Sequence, residues 1–368
     1  MLSNVKQFPR GKVKYSPSKL EIAFYLYVGV WLVWLTSVSL LSGKPPAVTS
    51  PYVVVPVVLI GGILLGQVLA LRWTDGRTLE LAFVALALAI LATPIYANAS
   101  AAVGVQLVAL ASLGIIGRQR IRSVGTEENE QDTAVPSRQR APSQQILIVG
   151  LFLIGTLLAL GSQAAIALLI PLLVVSFWAI RKCSGPPRWL LVGAGIFVAE
   201  MAAIAVITLG IRESWSPWLS ADDSLSSARH TLWSDALALW RANPIAGAGP
   251  GTFTESSELA SSTPDLAAVH SIVLQVAAEL GAIGLLLLGA IFVLGLLLVT
   301  RGPRDQSLIA AAAWTSLAVH ASIDHLEDFP VVWVTVGLVL GFSMGLSKAQ
   351  RRGAMSGKGD AAQCVARA

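Results

Sequence analysis

The sequence predicts an all-α, polytopic membrane protein with about ten transmembrane helices (10–12), both termini cytoplasmic and one large outer loop containing short helices. Three observations predict it. First, 55% of the 368 residues are hydrophobic and only 13% are charged, with a mean hydropathy of +0.70. Soluble domains carry about 25% charged residues, so the chain reads as membrane-embedded. Second, ten apolar runs are long enough to cross about 30 Å of hydrocarbon: 20–42, 51–72, 79–97, 101–117, 146–162, 164–180, 189–210, 271–299, 307–323 and 330–347. Third, when these runs alternate from a cytoplasmic N-terminus, 22 of the 26 Lys and Arg fall inside. Only Lys44, Arg212, Arg229 and Arg241 fall outside. That asymmetry is the positive-inside pattern. It accounts for the net charge of +5 without a nucleic-acid partner.

The first run follows Lys6, Arg10, Lys12, Lys14 and Lys19. It is too long for a signal-peptide core and has no small-residue cleavage site, so it reads as an anchor that stays in the membrane. Residues 1–210 form an N-terminal set of seven membrane helices. Residues 118–145 interrupt that set with a polar stretch, mixed in charge and poor in apolar residues, expected to be a disordered cytoplasmic linker. Residues 211–270 form the large outer loop, 271–347 carry the last three helices, and 348–368 are a short basic cytoplasmic tail. Cys183 and Cys364 both fall on the cytoplasmic side, where no structural disulfide is expected.

Polar chemistry concentrates at the outer face, where all four histidines fall: His230, His270, His320 and His325. In the loop, Trp233, Leu237 and Trp240 recur at i, i+4 and i+7, predicting a helix over 226–242 with one aromatic stripe that anchors at the membrane surface. Arg229 lies one turn before Trp233 on the same face. An arginine on a membrane-facing stripe needs an anionic partner, which a lipid phosphate or a substrate diphosphate would supply. Asn243-Pro244 ends the helix. The following glycines, including Gly249 and Gly251, either offer backbone N–H groups to a phosphate or form an ordinary turn. Asp222-Asp223 has no ligand-like company, and no metal is expected.

His270 stands where the loop enters the eighth run. It reads either as an interfacial residue that caps a helix or as a base with a suitable ordinary pKa. His320 and Asp324, at i and i+4, are expected to share a helix face, so that they hydrogen-bond each other or hold His270. Glu327 and Asp328 read as ordinary loop polarity. Glu200 and Glu279 sit inside apolar runs, and each needs a partner or a role there.

Together these residues resemble the O-antigen ligase/Wzy-type O-antigen polymerase family. The resemblance rests on Arg229-x3-Trp233, on Asn243-Pro-x2-Gly-x-Gly-x-Gly-x-Phe253, and on His270 followed after ten residues by Gly281 with Glu279 just before it. His320-x3-Asp324 near the last outer turn adds to it, as does the placement of a large loop ahead of three final helices. The specific match spans about 225–330. The chain departs from the family in helix count, ten against the usual twelve or so, and in Ser271, where an asparagine is usual.

The resemblance implies a membrane glycosyltransferase of the cytoplasmic (inner) membrane. It would move a glycan from a polyprenyl-diphosphate-linked donor to an acceptor hydroxyl, with inversion and without a metal or other cofactor. The implied acceptor is the lipopolysaccharide core, another cell-surface glycan, a lipid or a protein. His270 would act as general base and Arg229 would hold the diphosphate, with Arg241 and Arg212 as weaker second contacts. An apolar groove beside the loop would hold the polyprenyl chain. The alternatives are a Wzy-type polysaccharide polymerase, a protein O-oligosaccharyltransferase, or a lipid-linked-sugar flippase. Polar density on one face, rather than along a path through the helices, weighs against the flippase.

Overall fold

A computed structural model describes residues 17–45, 47–71, 96–127, 143–182, 185–215 and 224–365. Among the described residues all regular structure is helical: α1 (Lys19–Ser42), α2 (Pro51–Leu71), α3 (Ala97–Glu127), α4 (Ser143–Ala159), α5 (Gln163–Lys182), α6 (Arg188–Ile211), α7 (Ser224–Ala242), α8 (Thr252–Ser256), α9 (Glu258–Ser262), α10 (Ile272–Val299), α11 (Arg304–Ile323) and α12 (Pro330–Val365). Single 3₁₀ turns occupy Pro264–Leu266 and Leu326–Asp328.

Seven helices (α1, α2, α3, α5, α6, α10 and α12) are long and apolar enough to cross a membrane. This differs from the ten runs read in the sequence, for identifiable reasons. The run 79–97 lies almost wholly outside the described residues. Helix α4 is apolar but short, and its apolar stretch is Leu147–Ala159. Helix α11 covers the run 307–323, but its polar residues, among them Arg304, Asp305, Gln306 and His320, dilute its hydropathy. It is nonetheless packed into the protein, with Ile309, Ala310, Ala313 and Leu317 all buried. Helix α3 runs on to Glu127, ten residues into the expected linker, and 128–142 lie outside the described residues. Helix α12 likewise continues to Val365, through most of the expected tail.

Burial ranks the helices. The apolar stretch of α3 is 83% buried and that of α12 is 78% buried, whereas that of α6 is only 17% buried, so α3 and α12 are central and α6 is peripheral. The centre is tight because Gly62 and Gly66 of α2 face Gly337, Gly341 and Gly345 of α12. A Cβ at any of these five positions would collide with the backbone of the opposite helix. Small residues four apart allow this backbone approach, the usual way apolar helices gain packing in a membrane. At one end, buried Glu21 of α1 accepts from Lys348 Nζ at 2.7 Å and from Gln67 Nε2 at 3.1 Å, tying α1, α2 and α12 together.

Helix α10 is broken. Gly281 has φ 67° and ψ −168°, which the glycine tolerates and a side chain would not. A break inside an apolar helix exposes backbone groups that lipid cannot satisfy. Here the loop after α7 satisfies them. Ala248 N–H donates to Ala278 O (2.9 Å), Gly249 N–H to Glu279 O (3.0 Å) and Ala282 N–H to Pro244 O (2.9 Å). Trp34 Nε1 donates to Leu280 O at 3.1 Å. The break therefore docks the polar loop onto the bundle.

Candidate active site

Helix α7 forms as its periodicity predicts, but its stripe meets protein rather than the membrane surface. Leu232, Trp233, Ala236 and Leu237 are buried in a core with Val206, Phe253, Val269, Leu274 and Ala278. Gly210 permits this approach, since a Cβ there would press on Leu237 and Trp233. Trp240 is half-buried, and its Nε1 donates to Pro244 O at 3.1 Å. A helix fixed in this way has no freedom to roll. Arg229, one turn before Trp233, is therefore held in a defined direction, toward the segment that follows α11.

That segment carries Asp324. Helix α11 stops at Ile323, and Asp324 leaves it in an extended conformation (φ −150°, ψ 163°). The expected i, i+4 pairing of His320 with Asp324 is thereby lost. His320 is buried in the last turn of α11 with Nε2 unpartnered, and it is not bonded to the carboxylate. The freed Asp324 instead gathers groups from three other elements. Its Oδ1 lies 3.4 Å from His270 Nδ1 and 2.9 Å from His325 Nδ1, and accepts from the His325 backbone N–H at 2.9 Å. Its Oδ2 lies 3.8 Å from Arg229 Nη2 and 3.5 Å from Tyr96 Oη, and accepts from Asn98 Nδ2. The carboxylate side chain is 2% exposed.

Burial works to raise the Asp324 pKa. The hydrogen-bonded His270 and His325 rings and the positive charge of Arg229 overcome it and hold the carboxyl well below its ordinary range. Asp324 is thus an anion at neutral pH. For His270 the order reverses. Burial is the largest influence and pushes its pKa below 6.5, against the opposing pull of Asp324, so the ring is neutral at pH 7.

His270 has φ 57°, the one positive φ outside glycine among the described residues. Such a conformation costs about 1–3 kcal/mol and persists only where its surroundings enforce it. Ser271 enforces part of it by capping α10, with its Oγ accepting from Leu274 N–H at 3.4 Å. The serine therefore supplies the N-cap of α10. The strained backbone turns the ring so that Nδ1 meets Asp324 and His325. Nε2 is left buried with no hydrogen-bond partner. Arg229 Nε is buried and unpartnered in the same way. Two polar atoms of the cluster thus have their bonding capacity unused, in a structure where buried polar atoms are otherwise mostly paired.

His270 Nδ1, His325 Nδ1 and Asp324 Oδ1 also form the one His/Asp group among the described residues that converges as metal ligands do. Their spacing fits a shared proton better. The two ring nitrogens are 2.8 Å apart, whereas ligands on a tetrahedral zinc with 2.0–2.1 Å bonds sit about 3.3 Å apart. Arg229 also brings positive charge to the same carboxylate, which opposes a divalent cation.

The other residues named from the sequence lie apart from this cluster. Arg241 is exposed in the last turn of α7. Arg212 is exposed, and its backbone carbonyl accepts from His230 Nε2 at 2.6 Å, with the His230 ring against Trp215. Gly249 and Gly251 belong to the turn that docks on α10, and Phe253 N–H donates to Glu279 Oε1 at 3.1 Å. The turn's N–H groups are therefore spent on protein and do not form a phosphate cradle. Glu279 also accepts from Tyr52 Oη at 2.7 Å, so its role is to fasten the turn. Asp222-Asp223 lie outside the described residues. Glu327, read as ordinary loop polarity, is instead buried.

Sequence reasoning missed three members of the cluster. His325 was noted only for its side of the membrane. Its signal was adjacency to Asp324 at a helix end, where neighbouring side chains converge. Tyr96 and Asn98 carry no ionisable signal at neutral pH and stand more than 220 positions from Asp324.

Comparison with known proteins agrees with the residues. Residues 148–289 match the family model described as O-antigen ligase, a span that contains Arg229, His270, Glu279 and Gly281 and stops before Asp324. None of the curated proteins compared with the chain matches it.

Proposed function

We propose that this chain, a multi-pass membrane protein whose match supports the O-antigen ligase family and hence glycan processing of the ligase or polymerase type, is an inverting glycosyltransferase built on the Asp324 cluster. It transfers a glycan from a polyprenyl diphosphate to an acceptor hydroxyl on the outer side of the cytoplasmic membrane. The observation that carries the reading is the free Nε2 of a neutral His270 whose Nδ1 faces an ionised Asp324. The proposed mechanism puts the His270 ring proton on Nδ1, shared between Asp324 Oδ1 and His325 Nδ1, which leaves Nε2 a lone pair. That is the arrangement of a general base oriented by a carboxylate.

In this reading Nε2 takes the proton of the acceptor hydroxyl as its oxygen attacks C1 of the donor sugar. The bond from C1 to the phosphate oxygen breaks with its electron pair, and the diphosphate leaves with added negative charge. Attack from the face opposite the leaving group inverts C1. Arg229, with its Nε unused and its side chain 27% exposed, supplies fixed positive charge and N–H donors to that diphosphate. Asp324 keeps Arg229 and His270 in one site and balances the imidazolium that forms. The step uses no metal ion.

Incubating purified protein with a polyprenyl-diphosphate glycan and candidate acceptors, then identifying products by mass spectrometry, tests the reading. Transfer that persists in chelator supports it, and transfer restored only by a divalent cation contradicts the metal-free step. The acceptor formed in that assay separates ligase, polymerase and protein transferase. A flippase would form no covalent product.

A further inference from the structure

A cavity of about 450 Å³ is walled by α1, α2, α6, α10 and α11. This is within the size range of small-molecule sites. Its lining is mostly apolar, with Leu59, Ile196 and Phe292 representative. Its wall includes Ile272, two residues after His270 in the chain, and Ser322 and Glu327, which flank Asp324 in the chain. An apolar cavity walled in part by chain neighbours of a charged site fits a ligand with a lipid chain and a polar head.

Glu327 is the anomaly in that wall. It is 5% exposed, and neither carboxyl oxygen has a hydrogen-bond partner on another residue. The 3₁₀ turn that carries it is fixed without it, because Trp333 Nε1 donates to Leu326 O at 2.9 Å. Glu279, by contrast, has its carboxyl bonded on both oxygens. A buried carboxyl that holds nothing destabilises the empty protein, so its use lies with a ligand. The nature of that ligand follows from the surroundings. Burial, helped by the Asp328, Asp324 and Glu279 carboxylates, pushes the Glu327 carboxyl well above its usual range, which leaves it uncharged. An uncharged carboxyl both donates and accepts, and so matches a hydroxyl or amide. Charged phosphate is already served by Arg229.

We propose that Glu327 contacts substrate at the lip between the apolar cavity and the Asp324 cluster, where its carboxyl hydrogen-bonds a hydroxyl or amide of the sugar nearest the diphosphate while the lipid chain occupies the cavity. The proposal rests on the glycosyl-transfer reading above and adds to it a residue that recognises the sugar.

Binding of two probes separates the two claims: polyprenyl diphosphate alone, and the same lipid carrying one N-acetylhexosamine. Each is measured by native mass spectrometry on wild type, Glu327→Gln, Glu327→Met and Glu327→Ala in lipid nanodiscs. Wild type is expected to prefer the sugar-bearing lipid. Met and Ala lose about tenfold or more of that preference while binding the bare lipid normally, and Gln keeps most of it. The Met variant, having shed an unsatisfied buried group, also melts higher than wild type in the absence of lipid. Unchanged preference in Met or Ala overturns the role of Glu327, as does equal weakening toward both lipids or the absence of any preference in wild type. If wild type binds neither lipid, the glycosyl-transfer reading itself fails and this proposal falls with it.

Discussion

The glycine turn at 243–253 and the segment at 324–328 both bring polar groups into buried surroundings, and they dispose of them in opposite ways. In the turn, Ala248, Gly249 and Phe253 donate their N–H groups to the broken stretch of α10, and Glu279 is bonded on both carboxyl oxygens. Around the second segment, His270 Nε2, Arg229 Nε and both Glu327 oxygens are buried without partners. A satisfied polar network specifies geometry, whereas an unsatisfied one carries a standing cost that a ligand relieves. The two segments belong to one device. The turn clamps α10 at its break, and that clamp fixes the position of His270 eleven residues earlier.

The comparison breaks if substitutions in the two regions have the same effect. The largest expected effect is that of Asp324→Asn, which keeps the shape of the side chain but removes the charge that, in the proposed mechanism, holds the His270 proton on Nδ1. Transfer should fall about 10²- to 10⁴-fold, the range of a lost general base, with the melting temperature near that of wild type. A loss under threefold would show that the carboxylate does not orient the ring. Next comes Arg229→Lys, which retains charge but not the planar fork. The expected loss is about 10- to 100-fold in turnover, measured with saturating donor.

Gly281→Ala acts on the other region. It forces a side chain into φ 67° against Ile245 and Gly247. The expected result is about 1–3 kcal/mol of lost stability, read as a lower melting temperature, with residual activity proportional to folded protein. Wild-type melting with abolished turnover would place chemistry in the clamp and undo the comparison.

The smallest expected effect comes from pH. Burial lowers the His270 pKa below 6.5, so its neutral, active form is already dominant at pH 7. Activity should stay flat as pH falls toward 6.5 and decline only as pH drops through the lowered pKa. The stability that His270 contributes as a buried neutral ring is lost over the same acidic range. A decline already under way between about pH 8 and 7 would mean that a different group titrates.

Much of this organisation was legible in the sequence. Apolar length marked the membrane helices, seven of them long and apolar enough among the described residues, and the motif around Arg229 and His270 lies within the span that the O-antigen ligase family model matches. Periodicity gave α7 correctly but not what its stripe meets, because Trp and Leu look the same against lipid as against a protein core. The i, i+4 spacing leaves Asp324 two roles, a bond to His320 or a hold on His270, and only the first requires an unbroken helix. The chain stops that helix one residue earlier, and the carboxylate turns to His270 and His325 instead. Tyr96 and Asn98 reach Asp324 only through the packing of α3 against α11, a long-range contact that no local pattern encodes. Glu327 has the composition of a surface turn, and only tertiary burial shows otherwise.

The most direct test of the Asp324 cluster as the transfer site compares His270→Ala with Arg241→Ala. Both are purified in nanodiscs and supplied with polyprenyl-diphosphate glycan and acceptor, with the initial rate of product formation read by mass spectrometry. His270→Ala should give no product above the uncatalysed background while keeping its fold, and Arg241→Ala, outside the cluster, should run within about twofold of wild type. Wild-type product formation by folded His270→Ala would contradict the assignment.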